Sequence, residues 1–410
     1  MSYKTILSFC AALGLGVVIS TASALAASAQ FAHVEGKELV GADGKPLLLR
    51  GINLGNWMVA EGYMFDLKRV ASAEQINTLI SECLGDMGAA KFWREWRANY
   101  ITQKDIHLIK SLGMNSVRIP LNWRLFITED ASHRMEGDGW ELLENAVSWC
   151  KAEGLYVIFD LHCAPGGQTG DNIDDSRGRP LLFEDEEAQK LTIALWRELA
   201  RRYADEPLVL GYDLLNEPIA PYFDIEALNP KLAPLYSRIT KSVREVDRNH
   251  VIILGGAQWD TNLPAARIEG DDNILYTFHL YWSPPTDASI GKYLEFREKY
   301  NVPLWLGESG ENTDEWVSQF RALLEKHNIG WCFWPYKKLN KNSCFVTVAV
   351  PPHWDAINAY AAEPKKDFKE IRETLPPLPV AQEAFKGLLE AIKLENAKVN
   401  RGYVEALGGQ

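Results

Sequence analysis

Leu208-Val-Leu-Gly-Tyr-Asp-Leu-Leu-Asn-Glu-Pro218 is an apolar run that stops in a polar pair, Asn216 and Glu217. Amphipathic stretches with three-to-four-residue apolar spacing flank it, Glu186–Tyr203 before and Pro234–Val246 after, so the segment predicts a strand between two helices. The same unit recurs in both directions. Strands are expected at Leu47–Leu54, Ser116–Pro120, Tyr156–Leu161, Val251–Leu254, Ile274–His279, Leu304–Gly307 and Gly330–Trp334. Most of these runs are apolar throughout rather than alternating, the pattern of strands buried on both faces. Ile101–Leu112 and Trp140–Ala152 add helices, and Gly113, Gly154 and Gly330 stand where a left-handed cap is expected before the next strand. Eight β–α units in series predict an α/β fold, a (β/α)8 TIM barrel, and not an open doubly wound sheet. A dinucleotide fingerprint and a P-loop are both missing. The connection after the fifth strand is too short for a long helix. Ser72–Asn99 adds helix after the first strand, and a C-terminal helix bearing Phe385, Leu388, Leu389 and Ile392 is expected on the barrel exterior. Residues 30–410 read as a single domain.

The ends and the bulk composition narrow the setting. Lys4, an apolar run from Ile6 to Ile19 and small residues up to Ala29 read as a signal peptide over residues 1–29, cleaved after Ala26 or Ala29. The expected product is exported, extracellular or periplasmic, without a membrane anchor. Six cysteines become five once Cys10 is removed, and with no C-x-x-C pair they read as buried free thiols, although Cys332 and Cys344 are near enough in sequence to bridge. A net charge of -12 without any basic stretch argues against nucleic acid and anionic membranes as partners. A neutral polysaccharide suits that surface better. The 14 Trp and 15 Tyr are many for this length; most are expected in the core, and a minority would suffice to line a sugar cleft. A monomer is expected.

In such a barrel the chemistry sits where the strands end. The polar and aromatic residues there are Arg118 on the second strand, His162 on the third and Asn216 with Glu217 on the fourth. His279 and Tyr281 end the sixth strand, Glu308 the seventh and Trp334 the eighth. Glu217 and Glu308 suggest glycoside hydrolysis, one carboxyl neutral to protonate a leaving oxygen and the other ionised to attack the anomeric carbon. Arg118 and the Tyr281 hydroxyl are expected to hold Glu308 ionised, and the negative charge of Glu308 to raise the proton affinity of Glu217. Asn216 offers an amide to the sugar 2-hydroxyl, and Trp334 a face beneath the ring.

These motifs together resemble glycoside hydrolase family 5, a retaining family. Leu-Asn-Glu-Pro at 215–218 resembles its acid/base motif and Leu-Gly-Glu-Ser-Gly at 306–310 its nucleophile motif. Val-Arg-Ile-Pro at 117–120, Asp-Leu-His at 160–162, Phe-His-Leu-Tyr at 278–281 and Phe-Trp-Pro-Tyr at 333–336 complete the set in order. The resemblance implies Glu217 as acid/base and Glu308 as nucleophile, the other six residues as support, and neither metal nor organic cofactor. Arg-Gly-Ile-Asn-Leu-Gly-Asn-Trp at 50–57 and Asp-Leu-His-Cys-Ala-Pro-Gly-Gly-Gln-Thr-Gly at 160–170 resemble the exo-β-1,3-glucanase branch, which implies that Glu61 touches the terminal sugar. Cys163 departs from the small residue usual there. An endo-β-1,4-glucanase, a furanosidase of the same family and a non-catalytic glycan-binding barrel are the competing readings.

Other features carry less. Glu311 is a rival nucleophile by position. The acidic loop Gly170–Gly178 lacks the ligand spacing of a calcium loop and reads as solvated or substrate-lining. His162 and His279 have no third ligand in a recognisable zinc spacing. Lys337 and Lys338 read as surface lysines, and Trp93, Trp96 and Tyr100 as packing on the extra helix.

Overall fold

The computed structural model describes residues 31–409, so the leader expected at residues 1–29 lies outside the described residues. Eight parallel strands close into a barrel in chain order, numbered here β1 (Arg50–Asn53), β2 (Ser116–Asn122), β3 (Tyr156–Cys163), β4 (Val209–Asp213), β5 (Val251–Gly255), β6 (Ile274–His279), β7 (Leu304–Glu308) and β8 (Gly330–Phe333). Closure joins β8 to β1, with Trp331 opposite Arg50 and Phe333 opposite Ile52. Every one of the eight expected runs carries a barrel strand. The first is shorter than its apolar run because Leu47 is claimed elsewhere, its N–H donating to Leu39 O at 2.8 Å. Leu39 belongs to an N-terminal hairpin, His33–Glu35 paired with Glu38–Val40. Ala32 and Leu39 join Leu49, Ile158, Leu210, Ile253 and Trp305 in a small apolar cluster at the floor of the barrel. Val34 N–H donates to Asn273 Oδ1 just ahead of β6, fixing the hairpin at the end opposite the strand carboxyl termini.

The helices follow the sequence with instructive exceptions. Glu186–Tyr203 lies where its periodicity placed it, but the next helix begins well before Pro234 and runs Ile225–Arg244, with Pro230 and Pro234 inside. Asp224 caps it by accepting from Ala227 N–H, and buried Leu228, Leu232 and Leu235 outweigh the backbone bonds the prolines forgo. Gly113 and Gly154 are left-handed as expected, but Gly330 is not. Asn328 (φ 54) takes that conformation, and Gly330 is a glycine for closeness: a β-carbon there would meet Leu49 N at 2.9 Å. After β5 the chain makes only a tight turn and a short 3-10 segment, Leu263–Ala266.

The extra helix after β1 is two helices, Ala73–Leu84 and Asp86–Tyr100, parted at Gly85. The C-terminal helix, Leu378–Ala391, packs chiefly on this pair, Phe385 meeting Phe92 edge-on at 5.4 Å. Beyond β8 lies a feature the sequence did not signal, a small sheet of Lys337–Leu339, Val346–Val348 and Lys398–Val399. The two lysines it carries are buried, contrary to the surface expectation. Lys337 Nζ lies 2.5 Å from Asp105 and donates to Tyr100 O and Ile392 O, and Lys338 pairs with Glu311. Trp96 stacks on Phe65 and Tyr100 as packing. All five cysteines among the described residues are buried free thiols. No helix of the described residues is long and apolar enough to cross a membrane.

Candidate active site

At the carboxyl end of the barrel a cleft of about 500 Å³ opens, and Arg118 forms its foundation. Its guanidinium, fully buried on β2, donates to Asp213 Oδ2 at 2.8 Å, Asn216 Oδ1 at 2.9 Å, Asn53 Oδ1 at 3.1 Å and Glu308 Oε1 at 2.5 Å, and lies 3.1 Å from Asp160. Burial works against the charge of Arg118, but Asp160, Asp213 and Glu308 outweigh it and hold its pKa well above the usual value. Burial pushes Asp160 and Asp213 up to about 7, with Arg118 opposing. Three carboxyls share one cation, so the site favours keeping a proton among them. Asp160, Asp213 and Asn53 were not singled out in the sequence. Asp160 and Asn53 fall inside quoted motifs, whereas the only signal for Asp213 is a polar residue inside an otherwise apolar strand.

Glu308 ends β7, where Tyr281 donates its hydroxyl to Oε2 at 3.0 Å while Arg118 binds Oε1. Glu217 follows β4 with a left-handed backbone (φ 47), an unfavourable conformation for glutamate that aims the side chain into the cleft. Its Oε1 lies 2.9 Å from His279 Nδ1. Burial raises the Glu217 carboxyl to about 7, His162 and Arg118 opposing and Asp171 adding to the rise. The principal cause is therefore desolvation and not the charge of Glu308. His162 is buried and pushed down to about 4, its Nδ1 at 2.7 Å from Asp160 and its Nε2 at 3.3 Å from the Asn216 amide nitrogen. Asn216 is thus oriented from both sides, by His162 and by Arg118.

Trp334 follows β8, lies parallel to the His162 ring at 5.4 Å and donates its indole N–H to the Tyr63 hydroxyl at 2.6 Å. A β-carbon on Gly55 would fall 2.5 Å from this indole, which is why glycine stands there. Glu61 is buried in the same wall, and burial, with the charges of Glu308, Glu311 and Glu217, lifts its pKa well above the usual value. Glu311 also lines the cleft but is held by Lys338, while Arg118 and Tyr281 engage Glu308. In the acidic loop, Asp174 caps the backbone at Thr169 and Gly170, and Asp171 and Ile173 face the cleft. Trp259 and the more exposed Trp282, which the sequence did not distinguish, form the rim.

Eight of the nine residues chosen from sequence line this one cleft, and the ninth, Arg118, lies directly beneath. One carboxylate oxygen of Glu217, one of Glu308 and a ring nitrogen of His279 lie within 4.8 Å of one another. Asp160, His162 and Glu308 converge as closely, with the Arg118 cation against both carboxyls. Residues 71–340, well over half of the chain, match the family model described as Cellulase (glycosyl hydrolase family 5). The chain belongs to glycoside hydrolase family 5. This family 5 enzyme is 31% identical to a beta-xylosidase of Phanerodontia chrysosporium over 85% of its own length and 81% of the relative's. It is 29% identical to a probable glucan 1,3-beta-glucosidase A of Neosartorya fischeri (76% and 74%) and 27% identical to endoglucanase C of Acetivibrio thermocellus (61% and 88%). Among solved structures it resembles Thermotoga maritima Cel5A, with a TM-score of 0.52 at 19% identity over 88% of this chain and 97% of that one, a likeness of fold. As a glycoside hydrolase the family 5 enzyme acts on a carbohydrate substrate.

Proposed function

We propose that the enzyme is a retaining β-glycosidase in which Glu217 is the acid/base and Glu308 the nucleophile. The observation that carries this reading is that one oxygen of each carboxyl comes within 4.8 Å of the other, a near approach of the kind a retaining pair needs. A retaining pair stands roughly 5–5.5 Å apart, whereas an inverting pair stands roughly 6.5–9.5 Å apart to admit a water. Glu308, gripped by Arg118 and Tyr281, attacks the anomeric carbon, and the bond to the leaving oxygen breaks as Glu217 gives that oxygen its proton. Water then loses a proton to Glu217 and displaces Glu308, so the sugar leaves with its original anomeric configuration. Asn216 and His162 face the glycone from β4 and β3, and Trp334 offers its apolar face. Turnover distinguishes this reading from a glycan-binding barrel, which has no use for a raised Glu217 beside a clamped Glu308.

The substrate we propose is a β-1,3-glucan or related β-glycan attacked from chain ends. Glu61, Tyr63, Trp334 and the Lys338–Glu311 pair build one wall of the cleft, and Trp259 and Trp282 stand at its rim, Trp282 donating its indole N–H to Glu311 O at 3.3 Å. The relative named glucan 1,3-beta-glucosidase supports this choice, and the one named endoglucanase supports internal β-1,4 cleavage as the second reading. Proton NMR of the first-formed sugar on an aryl β-glycoside tests the mechanism: the β-anomer is expected, and first formation of the α-anomer overturns it. Product profiles on β-1,3-, 1,4- and 1,6-linked oligosaccharides and aryl furanosides decide the substrate. Export as a monomeric single domain, residues 30–410, completes the reading. N-terminal sequencing of secreted protein is expected to begin at Ala27 or Gln30.

A further inference from the structure

The turn after β5 is the most distorted backbone beside the cleft. Gln258, Trp259 and Asp260 are three consecutive left-handed residues, at φ 54, 56 and 59, none of them glycine. Such a run costs energy, and the fold keeps it because of where it delivers the last side chain. Asp260 is completely buried, and only glycine fits opposite it: a β-carbon on Gly255 would sit 2.0 Å from Asp260 Oδ1. The other oxygen, Oδ2, accepts from the backbone N–H of Glu217 at 3.1 Å and faces Nε2 of His279 at 3.3 Å, a nitrogen that makes no aligned hydrogen bond among the described residues. On its far side the His279 ring places Nδ1 2.9 Å from Glu217 Oε1. Asp260 therefore touches the residue proposed as acid/base twice, at its amide directly and at its carboxyl through an imidazole.

We infer that Asp260 is a positioning residue that locks His279 in its Nε2–H tautomer and thereby keeps Glu217 protonated for the first chemical step. The inference rests on Glu217 being the acid/base. The Glu217 amide always carries a proton, so Oδ2 is already an acceptor, and its negative end 3.3 Å from Nε2 favours the ring proton on that nitrogen. Asp260 Oδ1 has no partner among the described residues, so nothing there compensates the charge of an ionised carboxyl. Burial supports this, holding Asp260 well above the usual carboxylate range, with Asp213 and Glu217 adding and Arg118 opposing. Burial likewise drives His279 down to about 3, Glu308 opposing while Arg118 and His162 add, so the ring is neutral and carries a single proton. The hydroxyls of Tyr236 and Tyr293 complete the groups that face Asp260.

With that proton on Nε2, the Nδ1 lone pair points at Glu217. It accepts a hydrogen bond from a carboxylic acid and repels a carboxylate, so it favours the protonated acid in the first step. In the second step the same lone pair strengthens Glu217 as the base that takes a proton from water. β3 repeats the design: Asp160 binds Nδ1 of His162, whose Nε2 then faces the Asn216 amide nitrogen.

Nitrogen-15 NMR of the histidine-labelled enzyme, with His279 assigned by a His279→Gln variant, reads the tautomer in the unsubstituted protein. A neutral Nε2–H ring is expected, and an Nδ1–H or charged ring overturns the inference. The pH profile of kcat/KM is the second readout. Asp260→Ala is expected to move the alkaline limb down by about one pH unit, a tenfold loss of proton affinity. Asp260→Asn, which keeps a carbonyl oxygen for both N–H groups, is expected to restore it. A lower plateau with the limb unmoved, or an Asn variant that shifts as far as Ala, overturns the inference. If the Ala variant does not fold, the tautomer decides. Glu217→Ala on substrates with good and poor leaving groups tests the underlying assignment separately: equal losses on both would unseat Glu217 while leaving the tautomer result standing.

Discussion

As the proposed acid/base, Glu217 would work by being hard to ionise. Its carboxyl is raised by burial to about 7, and the first step consumes its proton, so kcat/KM is expected to fall as pH rises through about 7. A profile flat from pH 6 to 9 would contradict that. Arg118 faces Asp160, Asp213 and Glu308 in a dry site, and removing one member of such a cluster strands the charges that remain. Arg118→Met is expected to cost about 3–5 kcal/mol in denaturant unfolding and to abolish turnover. Arg118→Lys is not expected to restore activity, because one ammonium cannot reproduce a fork that reaches five groups. At this scale the sequence disclosed the residues that end strands but not those that act through them. Asp260 has no local signature, because its role depends on contacts across 19 residues to His279 and 43 to Glu217.

Among the elements, legibility followed burial. Strands buried on both faces announced themselves as apolar runs. The helix over Ile225–Arg244 did not, since Pro230 and Pro234 are breakers by local rules and only packing at Leu228, Leu232 and Leu235 overrides them. The small sheet beyond β8 was hidden by strands of two or three residues, too short for any periodicity, and by lysines that are normally solvated. Lys337 fastens that sheet to Asp105, to Tyr100 of the extra helices and to Ile392. Lys337→Met, which leaves Asp105 buried without a cation, is expected to destabilise the enzyme by about 3–5 kcal/mol. Because the pair lies outside the cleft, KM is expected to stay within twofold at temperatures where the variant is folded. A large KM change without a stability loss would reverse this account.

For the whole molecule, the cleft sets the pH of greatest stability. Asp160, Asp213 and Glu217 titrate near 7 when folded but near their ordinary values, 3.8 for aspartate and 4.5 for glutamate, when unfolded. Between those limits the folded chain binds more protons than the unfolded one. This contribution is therefore fully present below about pH 4 and is lost as pH rises through 7. His162 and His279, pushed down from 6.5 to about 4 and about 3, act in the opposite sense below about pH 6.5. Surface carboxyls such as Glu198, lowered to about 2 by Arg201 and Arg202, do so only at more acid pH. The melting temperature is expected to peak on the acid side of neutrality and to decline towards pH 8; a maximum at or above pH 8 would refute it. The N-terminal hairpin has a practical consequence at the same scale. It stoppers the floor of the barrel, so anything joined ahead of Phe31 emerges on the side away from the catalytic mouth. A resin, a cell-surface anchor or a fused module attached there would hold the enzyme upright, its opening turned outward to an insoluble substrate.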